Sequence, residues 1–164
     1  MDKLRGMFGF AVWNEKEKTL MLAKDFFGIK PVYYAMINGH FVFASEIKSI
    51  LAFPGYKREV NRQALEQYLS FQYSALEETF FKGIYKLMPG HMLVYKNGKY
   101  EIKAYFTARL TPGQGKEGNQ DMRQLQAQLE KVLEDSVKHH MLSDVEIGAF
   151  LSGGVDSGYL AAAS

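Results

Sequence analysis

Alternation of apolar and polar residues in the first part of the chain predicts short β-strands. Residues 8–13 and 19–23 flank a charged turn, and residues 32–37 and 40–44 flank the dipeptide Asn38-Gly39. An Asn-Gly pair between two such segments indicates a β-hairpin, because both turn residues must tolerate a positive φ. Two successive hairpins are therefore expected before residue 45.

The same signal occurs again where residues 92–95 and 100–102 flank Asn97-Gly98, which predicts a third hairpin. Between the second and third hairpins the period changes to that of a helix. Asn61 is a candidate N-cap for a helix whose apolar face contains Ala64, Leu65, Tyr68 and Leu69. A shorter helix is predicted over residues 45–51, with Ser45 as its cap and the apolar side chains of Ile47, Ile50 and Leu51 turned inward.

A change in composition divides the chain near residue 106. Residues 107–119 contain Pro112 and three glycines and show no apolar period, which is typical of a linker. We therefore expect domains at residues 1–106 and 121–164, joined by residues 107–120. A long surface loop inside a single domain is the alternative.

After this segment the period is helical, with apolar residues spaced by three, four and seven positions over residues 122–137. Asp121 and Gln124 have the spacing of a capping box. Residues 145–151 form an apolar run that predicts a buried strand of a parallel sheet, and a helix begins near Gly158. One helix and one strand do not close a parallel sheet, so this second domain is expected to be incomplete.

Charge and composition exclude several functions. The net charge is +2, which gives no electrostatic argument for nucleic acid or an anionic membrane as a partner. The chain contains no cysteine, which excludes disulfides, thiolate metal sites and a cysteine nucleophile within it. The longest early apolar run, residues 7–13, is too short to span a bilayer, and no targeting signal is apparent. We expect a cytoplasmic protein.

The chemistry of the chain is concentrated in Ser152-Gly153-Gly154-Val155-Asp156-Ser157. A Gly-Gly turn between a strand and a helix presents unpaired backbone N–H groups, and the helix dipole adds positive potential there. The glycines allow phosphate oxygens to approach the main chain, and the Ser152 and Ser157 hydroxyls add donors. The string lacks the Gly-Lys-Ser/Thr of a Walker loop. A phosphate-binding loop is predicted; a glycine-rich turn without a ligand is the alternative.

Asp156 needs its own explanation, because a carboxylate repels phosphate. It could bind a Mg²⁺ ion held by nucleotide phosphates, since magnesium combines one or two carboxylates with phosphate oxygens. Alternatively, Asp156 could be the N-cap of the following helix. The two roles are compatible, and both remain open.

The loop resembles the pyrophosphate loop of the ATP-pyrophosphatase enzymes, which adenylate a substrate and release pyrophosphate. Residues 4–13, 24–34, 43–51 and 87–91 resemble the later part of a class II glutamine amidotransferase domain. In this order on one chain, the motifs resemble those of the glutamine-hydrolysing asparagine synthetase family. The resemblance extends from about residue 4 to residue 163.

The resemblance implies an α+β fold, part of an Ntn-type αββα glutaminase sandwich, followed by the start of an α/β parallel-sheet ATP-pyrophosphatase domain. It implies conversion of aspartate to asparagine through an aspartyl-adenylate, using glutamine-derived ammonia, ATP and Mg²⁺. AMP and pyrophosphate would be released, and the full-length enzyme could be a homodimer. The chain would then be an internal fragment that lacks both ends and has no activity by itself.

The resemblance also implies roles for individual residues. Leu151 matches the residue beside the ATP base or ribose, and five residues match the pyrophosphate loop: Ser152, Gly153, Gly154, Asp156 and Ser157. No catalytic residue carries over, because the nucleophilic cysteine and the glutamine-binding residues of such enzymes would precede Met1. Lys24 stands where the family usually has arginine; it keeps the positive charge but not the bidentate geometry of the expected ion pair. Gly158 replaces a common second serine.

Two other functions are open. An amidotransferase of the same architecture could act on another carboxylate substrate, because acceptor choice depends on residues that would follow Ser164. Alternatively, the chain could be a truncated, non-catalytic protein that binds a nucleotide or a partner.

Overall fold

The structure is a computed structural model that describes residue 1, residues 3–109 and residues 121–164. It forms two compact units, Met1–Ala108 and Arg109–Ser164. Residues 107–109 have no regular secondary structure, and the remainder of the predicted linker, residues 110–120, lies outside the described residues. We treat each unit by itself.

The first unit contains seven strands and two helices, and the second contains two helices. In chain order they are β1 (Gly9–Asn14), β2 (Thr19–Lys24), β3 (Tyr33–Ile37), β4 (His40–Ala44), α1 (Ile47–Leu51), α2 (Arg62–Phe71), β5 (Ile84–Lys86), β6 (His91–Lys96), β7 (Lys99–Ala104), α3 (Met122–His140) and α4 (Val155–Ala163).

Two antiparallel sheets form the first unit. Their strand orders are β1-β2-β6-β7 and β4-β3-β5. The three predicted hairpins are confirmed, and both Asn-Gly turns have positive φ, at 50° and 81° for Asn38 and Gly39. Strand β5 was not predicted; its three residues pair with Tyr33, Tyr34 and Ala35 of β3. The expected α+β class with antiparallel sheets is confirmed for this unit.

The core of this unit has two parts. Leu22 and Leu93 of the four-stranded sheet form one buried cluster with Tyr34 of the three-stranded sheet. A second cluster, around Ile50 and Ile84, packs α1 against the three-stranded sheet. Burial of these apolar side chains is the main contribution that holds the elements together.

Two predictions about the first unit's helices are wrong in detail. Helix α1 has Glu46 as its N-cap without a capping side chain, so Ser45 is not the cap. Asn61 does cap α2, and its side chain accepts a hydrogen bond from the Ala64 N–H. Only Ala64 of the predicted apolar face is buried; the rest is exposed: Leu65, Tyr68 and Leu69. Helix α2 therefore presents exposed apolar surface at Leu65 and Leu69, whereas the Tyr68 ring also packs edge-on against Phe80.

The second unit departs further from expectation. Asp121 caps α3 as predicted, by accepting a hydrogen bond from the Arg123 N–H. Residues 145–151, however, form no strand, and Phe150 is fully exposed. A strand requires a hydrogen-bonded neighbour, and among the described residues none pairs with this segment. The predicted buried strand is wrong for this structure, so the start of a parallel sheet is not seen.

Candidate nucleotide-binding loop

The glycine-rich loop connects the extended segment before residue 152 to helix α4. Gly153 has a φ of +82°, a conformation that favours glycine. Gly154 is the N-cap of α4, with extended backbone and no capping side chain. The helix begins at Val155, three residues before the predicted start at Gly158. The last three residues of the predicted loop, 155–157, therefore form the first turn of α4.

The two loop serines are brought together by this turn. Their Oγ atoms lie 3.0 Å apart, and the Ser157 hydroxyl donates to the Gly154 carbonyl over 3.1 Å. The same carbonyl accepts from the Gly158 N–H. A Cβ at Gly154 would lie 3.5 Å from the Ser152 Oγ. The two hydroxyls thus lie on the side of the loop where the absence of a Cβ at Gly154 leaves space.

The first backbone donors of α4 have no protein partner. The N–H groups of Val155, Asp156 and Ser157 make no hydrogen bond to any described residue. This is the usual state of a helix N-terminus that lacks a side-chain cap. Three parallel donors and the positive end of the helix dipole favour an anion at this position. The start of α4 therefore offers three backbone donors to an anion.

Asp156 is not the N-cap of α4, so the alternative that gave it this role is wrong. The cap is Gly154, and Asp156 is the second residue of the first turn. No described group of three or more His, Cys, Asp or Glu residues could hold a metal ion. A single carboxylate beside free backbone donors would suit Mg²⁺ if phosphate oxygens and water supplied the remaining ligands.

A groove between α3 and α4 adjoins Asp156. It encloses about 700 Å³ and is lined by Gln126, Leu129, Glu130, Leu133, Val155, Asp156, Tyr159 and Leu160. Of the six predicted cofactor-binding residues, only Asp156 lines this groove. Leu151, Ser152, Gly153, Gly154 and Ser157 lie on the loop itself, and Leu151 is largely exposed. The structure brings together the loop residues but gives Leu151 no binding partner.

Tyr159 is one of the groove residues that the sequence pattern did not single out. Desolvation, together with the charges of Glu134 and Glu130, raises the pKa of its phenol. The phenol is therefore neutral at physiological pH and can donate a hydrogen bond. Its position one turn after Asp156 was the available signal, since residues three apart on a helix share a face.

The amidotransferase-like segment is organised around Asp25, which is almost fully buried. Its carboxylate accepts hydrogen bonds only from backbone N–H groups, among them those of Ile29 and Lys30. Lys24 is also buried and forms no ion pair with a described carboxylate. Burial lowers the pKa of its ammonium, an effect that the Asp25 charge opposes. The Asp25 carboxylate is thus satisfied by the main chain without an ion pair to Lys24.

Similarity to known proteins decides the family. A glutamine amidotransferase domain matches residues 1–106, which is more than half of the chain. The chain belongs to the glutamine amidotransferase domain family. A second family, described as asparagine synthase, matches residues 128–164 of this amidotransferase-family chain, a range that contains the loop and α4.

Curated relatives of this amidotransferase-family chain resemble it over nearly its whole length. Asparagine synthetase [glutamine-hydrolyzing] 1 of Bacillus subtilis is 40% identical over 160 residues, which cover 97% of this chain and 24% of that protein. A putative asparagine synthetase [glutamine-hydrolyzing] of Mycobacterium bovis is 37% identical over 167 residues, covering 99% and 25%. The chain spans about a quarter of the length of these relatives.

Across residues 3–109 and 121–164, no helix combines the length and the apolar character that a bilayer crossing requires.

Proposed function

We propose that this chain is part of a glutamine-dependent asparagine synthetase of the cytoplasm, with glutamine, aspartate and ATP as its substrates. The observation that carries the proposal is the succession of two matches, an amidotransferase domain followed by the asparagine synthase range that contains the loop. One half would release ammonia from glutamine, and the other would activate the carboxylate that receives it.

The loop supplies the phosphate-binding part of this chemistry. The free N–H groups at the start of α4 would bind the β- and γ-phosphates, with the Ser152 and Ser157 hydroxyls as additional donors. Asp156 would hold Mg²⁺, which neutralises phosphate charge when bound. Leu151 would contact the base or ribose.

With the β- and γ-phosphates bound at the loop, the α-phosphorus would be the atom at which the substrate is adenylated. An oxygen of the aspartate side-chain carboxylate attacks the α-phosphorus, the bond to the β-phosphate oxygen breaks, and pyrophosphate leaves to the loop. Ammonia attacks the activated carbonyl, AMP departs with the electron pair of the C–O bond that breaks, and the nitrogen loses one proton to solvent to give the amide. Donors that are fixed in the backbone favour release of the negatively charged leaving group because they need no reorganisation.

Aspartate-dependent exchange of labelled pyrophosphate into ATP tests the proposal. Because adenylation is reversible, the protein purified from its own cells should transfer label from pyrophosphate into ATP only when aspartate and Mg²⁺ are present. Asparagine should form when glutamine or ammonium is then added. Glutamate in place of aspartate is the matched control. Exchange that needs no carboxylate, or no exchange with any carboxylate, would contradict the proposed reaction.

One relative supports a second candidate. Amidase chyE of Penicillium rubens is 33% identical over 162 residues, covering 98% of this chain and 23% of that protein. A protein named as an amidase is thus similar to nearly the whole of this chain, including the range that contains the loop. An amidotransferase acting on a different carboxylate would show the same pyrophosphate exchange, with a substrate other than aspartate.

A further inference from the structure

Two turns of the first unit contain the same dipeptide and have nearly the same backbone. Asn38-Gly39 joins β3 to β4, and Asn97-Gly98 joins β6 to β7. Their φ values are +50° and +81° in the first turn and +50° and +78° in the second. All four residues are exposed. A difference in their chemistry therefore comes from the surroundings of each turn.

An Asn-Gly pair can lose ammonia without an enzyme, because glycine has no side chain that shields its backbone nitrogen. In the second turn, the Gly98 nitrogen would attack the side-chain carbonyl carbon of Asn97, and the new C–N bond would close a five-membered succinimide ring. The bond to the amide nitrogen breaks, and ammonia leaves with the proton from Gly98. Water then opens the ring at either carbonyl and gives aspartate or isoaspartate, so one water is consumed for each ammonia released.

The first turn packs against the segment that follows α1. A Cβ at Gly55 would collide with the side-chain nitrogen of Asn38, so this amide lies directly against the Gly55 backbone. The ring of His40, which follows the turn, lies 6.0 Å from the ring of Phe53, measured between centroids. These contacts restrict the rotation of the Asn38 amide and the local opening of the turn, both of which ring closure requires.

The second turn has different neighbours. Lys96 and Lys99 flank it and lie directly opposite each other in the register of β6 and β7. Neither ammonium group forms an ion pair with a described carboxylate. The Asn97 amide has no hydrogen-bond partner among the described residues. It is therefore free to rotate toward the Gly98 nitrogen when the turn opens.

The two lysines favour both the reaction and its product. Ring closure removes a proton from the Gly98 nitrogen and develops negative charge on the Asn97 carbonyl oxygen, which neighbouring ammonium groups stabilise. Like charges that lie opposite each other in a hairpin repel. A carboxylate at position 97 would lie between the two lysines and relieve this repulsion.

We propose that Asn97 is a site of spontaneous deamidation to aspartate or isoaspartate, and that Asn38 is protected by its contact with Gly55. Isoaspartate adds one methylene carbon to the main chain at residue 97. The two-residue turn then no longer fits the one-to-one register of Lys96 with Lys99. The modification is therefore expected to loosen the pairing of β6 with β7 at this end of the hairpin.

The rates at the two turns can be compared in a single sample. The protein purified from its own cells is incubated at mildly alkaline pH and then digested with pepsin at acidic pH, where deamidation is slow. Mass spectrometry of the peptides measures the conversion of each amide to an acid. Asn97 should be converted faster than Asn38 by about tenfold or more. In urea the contacts of Asn38 are lost, and the two rates should differ by no more than the effect of the two lysines.

Variants separate the two causes. Lys96→Gln combined with Lys99→Gln should slow the conversion of Asn97 by about two- to fivefold, as expected for exposed charges, and added salt should do the same in the natural protein. Lys16→Gln, in another exposed turn, is the matched control and should change neither rate. Gly55→Ala displaces the Asn38 amide and should accelerate conversion there, with circular dichroism as the check that the variant is folded.

Several results would overturn the proposal. Equal rates at Asn97 and Asn38 in the folded protein would do so, as would a faster rate at Asn38. Conversion of Asn97 that occurs only in urea would show that the folded hairpin prevents ring closure. A folded Gly55→Ala variant in which Asn38 is converted no faster would show that the contact with Gly55 gives no protection.

Discussion

The carboxylate of Asp25 accepts a hydrogen bond from the backbone N–H of Phe8, 17 residues earlier in the chain, over 3.3 Å. Its two oxygens also accept from the N–H groups of Phe27, Ile29 and Lys30, at 3.2, 2.9 and 2.9 Å. One buried side chain thus links the start of β1 to the loop that follows β2.

Replacing Asp25 with asparagine is expected to destabilise the first unit by about 2–4 kcal/mol. The variant removes the negative charge and turns an amide N–H₂ toward backbone N–H groups, so at least one buried donor loses its acceptor. Denaturant unfolding followed by circular dichroism measures the change. Asp144→Asn makes the same substitution at an exposed site and should alter the free energy of unfolding by less than about 0.5 kcal/mol. Equal effects of the two substitutions would contradict the role given to Asp25.

The stabilisation from Asp25 should depend on pH with a definite sign. Burial raises the pKa of this carboxyl, but hydrogen bonds from the backbone N–H groups of Lys30, Ile29 and Phe8 outweigh it and hold the pKa below its usual value. The folded state therefore favours the ionised form. Its contribution is complete above the unfolded pKa of about 3.9 and is lost as pH falls through the lower folded value.

The stability difference between the natural chain and Asp25→Asn should therefore be constant at neutral pH and shrink below about pH 4. Urea unfolding at a series of pH values measures it, and the chain with Asp144→Asn serves as the reference for general acid effects. A difference that grows on acidification would show that the carboxyl is bound in its protonated form.

The parts of the fold that could be predicted are those set by local chemistry. The turns at Asn38-Gly39 and Asn97-Gly98 require positive φ, which few residues tolerate, so the dipeptide alone located two hairpins. The caps at Asn61 and Asp121 were equally local, because a cap side chain bonds to an N–H two or three residues ahead.

Features that depend on distant partners could not be predicted. The three residues of β5 form a strand only because β3 lies beside them, and no alternation is visible in so short a segment. Residues 145–151 have an apolar strand pattern, yet no described strand pairs with them, so the pattern alone was insufficient. The four backbone bonds to Asp25 likewise depend on a loop path that composition does not reveal.

For the loop, the sequence predicted the backbone donors but not the residue at which the helix begins. An aspartate before an apparent helix start suggested an N-cap, whereas the helix begins one residue before Asp156. The cap is the glycine, which has no side chain to satisfy the first N–H groups. Because the cap has no side chain, the first N–H groups of α4 remain available for a ligand.

Two glycines with similar backbone angles should respond differently to substitution. Gly90 and Gly98 have φ values of +66° and +78°. A Cβ at Gly90 would lie 2.5 Å from the Phe106 carbonyl oxygen, but none of the described atoms lies within 4 Å of one at Gly98. Gly98→Ala should cost about 1–2 kcal/mol for the left-handed conformation, and Gly90→Ala about 1–3 kcal/mol more for the clash. Thermal and urea unfolding compare the two, and equal losses would contradict the close packing at Gly90.

Asp156→Asn should separate magnesium binding from phosphate binding. Calorimetry with the 164-residue chain is expected to show that Mg²⁺ strengthens ATP binding to the natural sequence. In the variant this enhancement should fall by about tenfold, whereas metal-free ATP should bind no more weakly because a repulsive charge is gone. Asp144→Asn is the matched control. An unchanged Mg²⁺ effect in Asp156→Asn would exclude this carboxylate as a ligand.

A single backbone donor can be removed from the loop without disturbing the helix. Val155 is the first residue of α4, and Gly154 before it has φ −79° and ψ 160°, which a following proline accepts. Val155→Pro should keep the helix but delete one N–H, and so weaken Mg²⁺–ATP binding by about tenfold. Val155→Ala removes the exposed apolar side chain, keeps the N–H, and should bind like the natural chain. Calorimetric titration compares the three, with circular dichroism as the check on helix content. If proline and alanine variants bind alike, or the natural chain binds no nucleotide, the start of α4 is not the phosphate site.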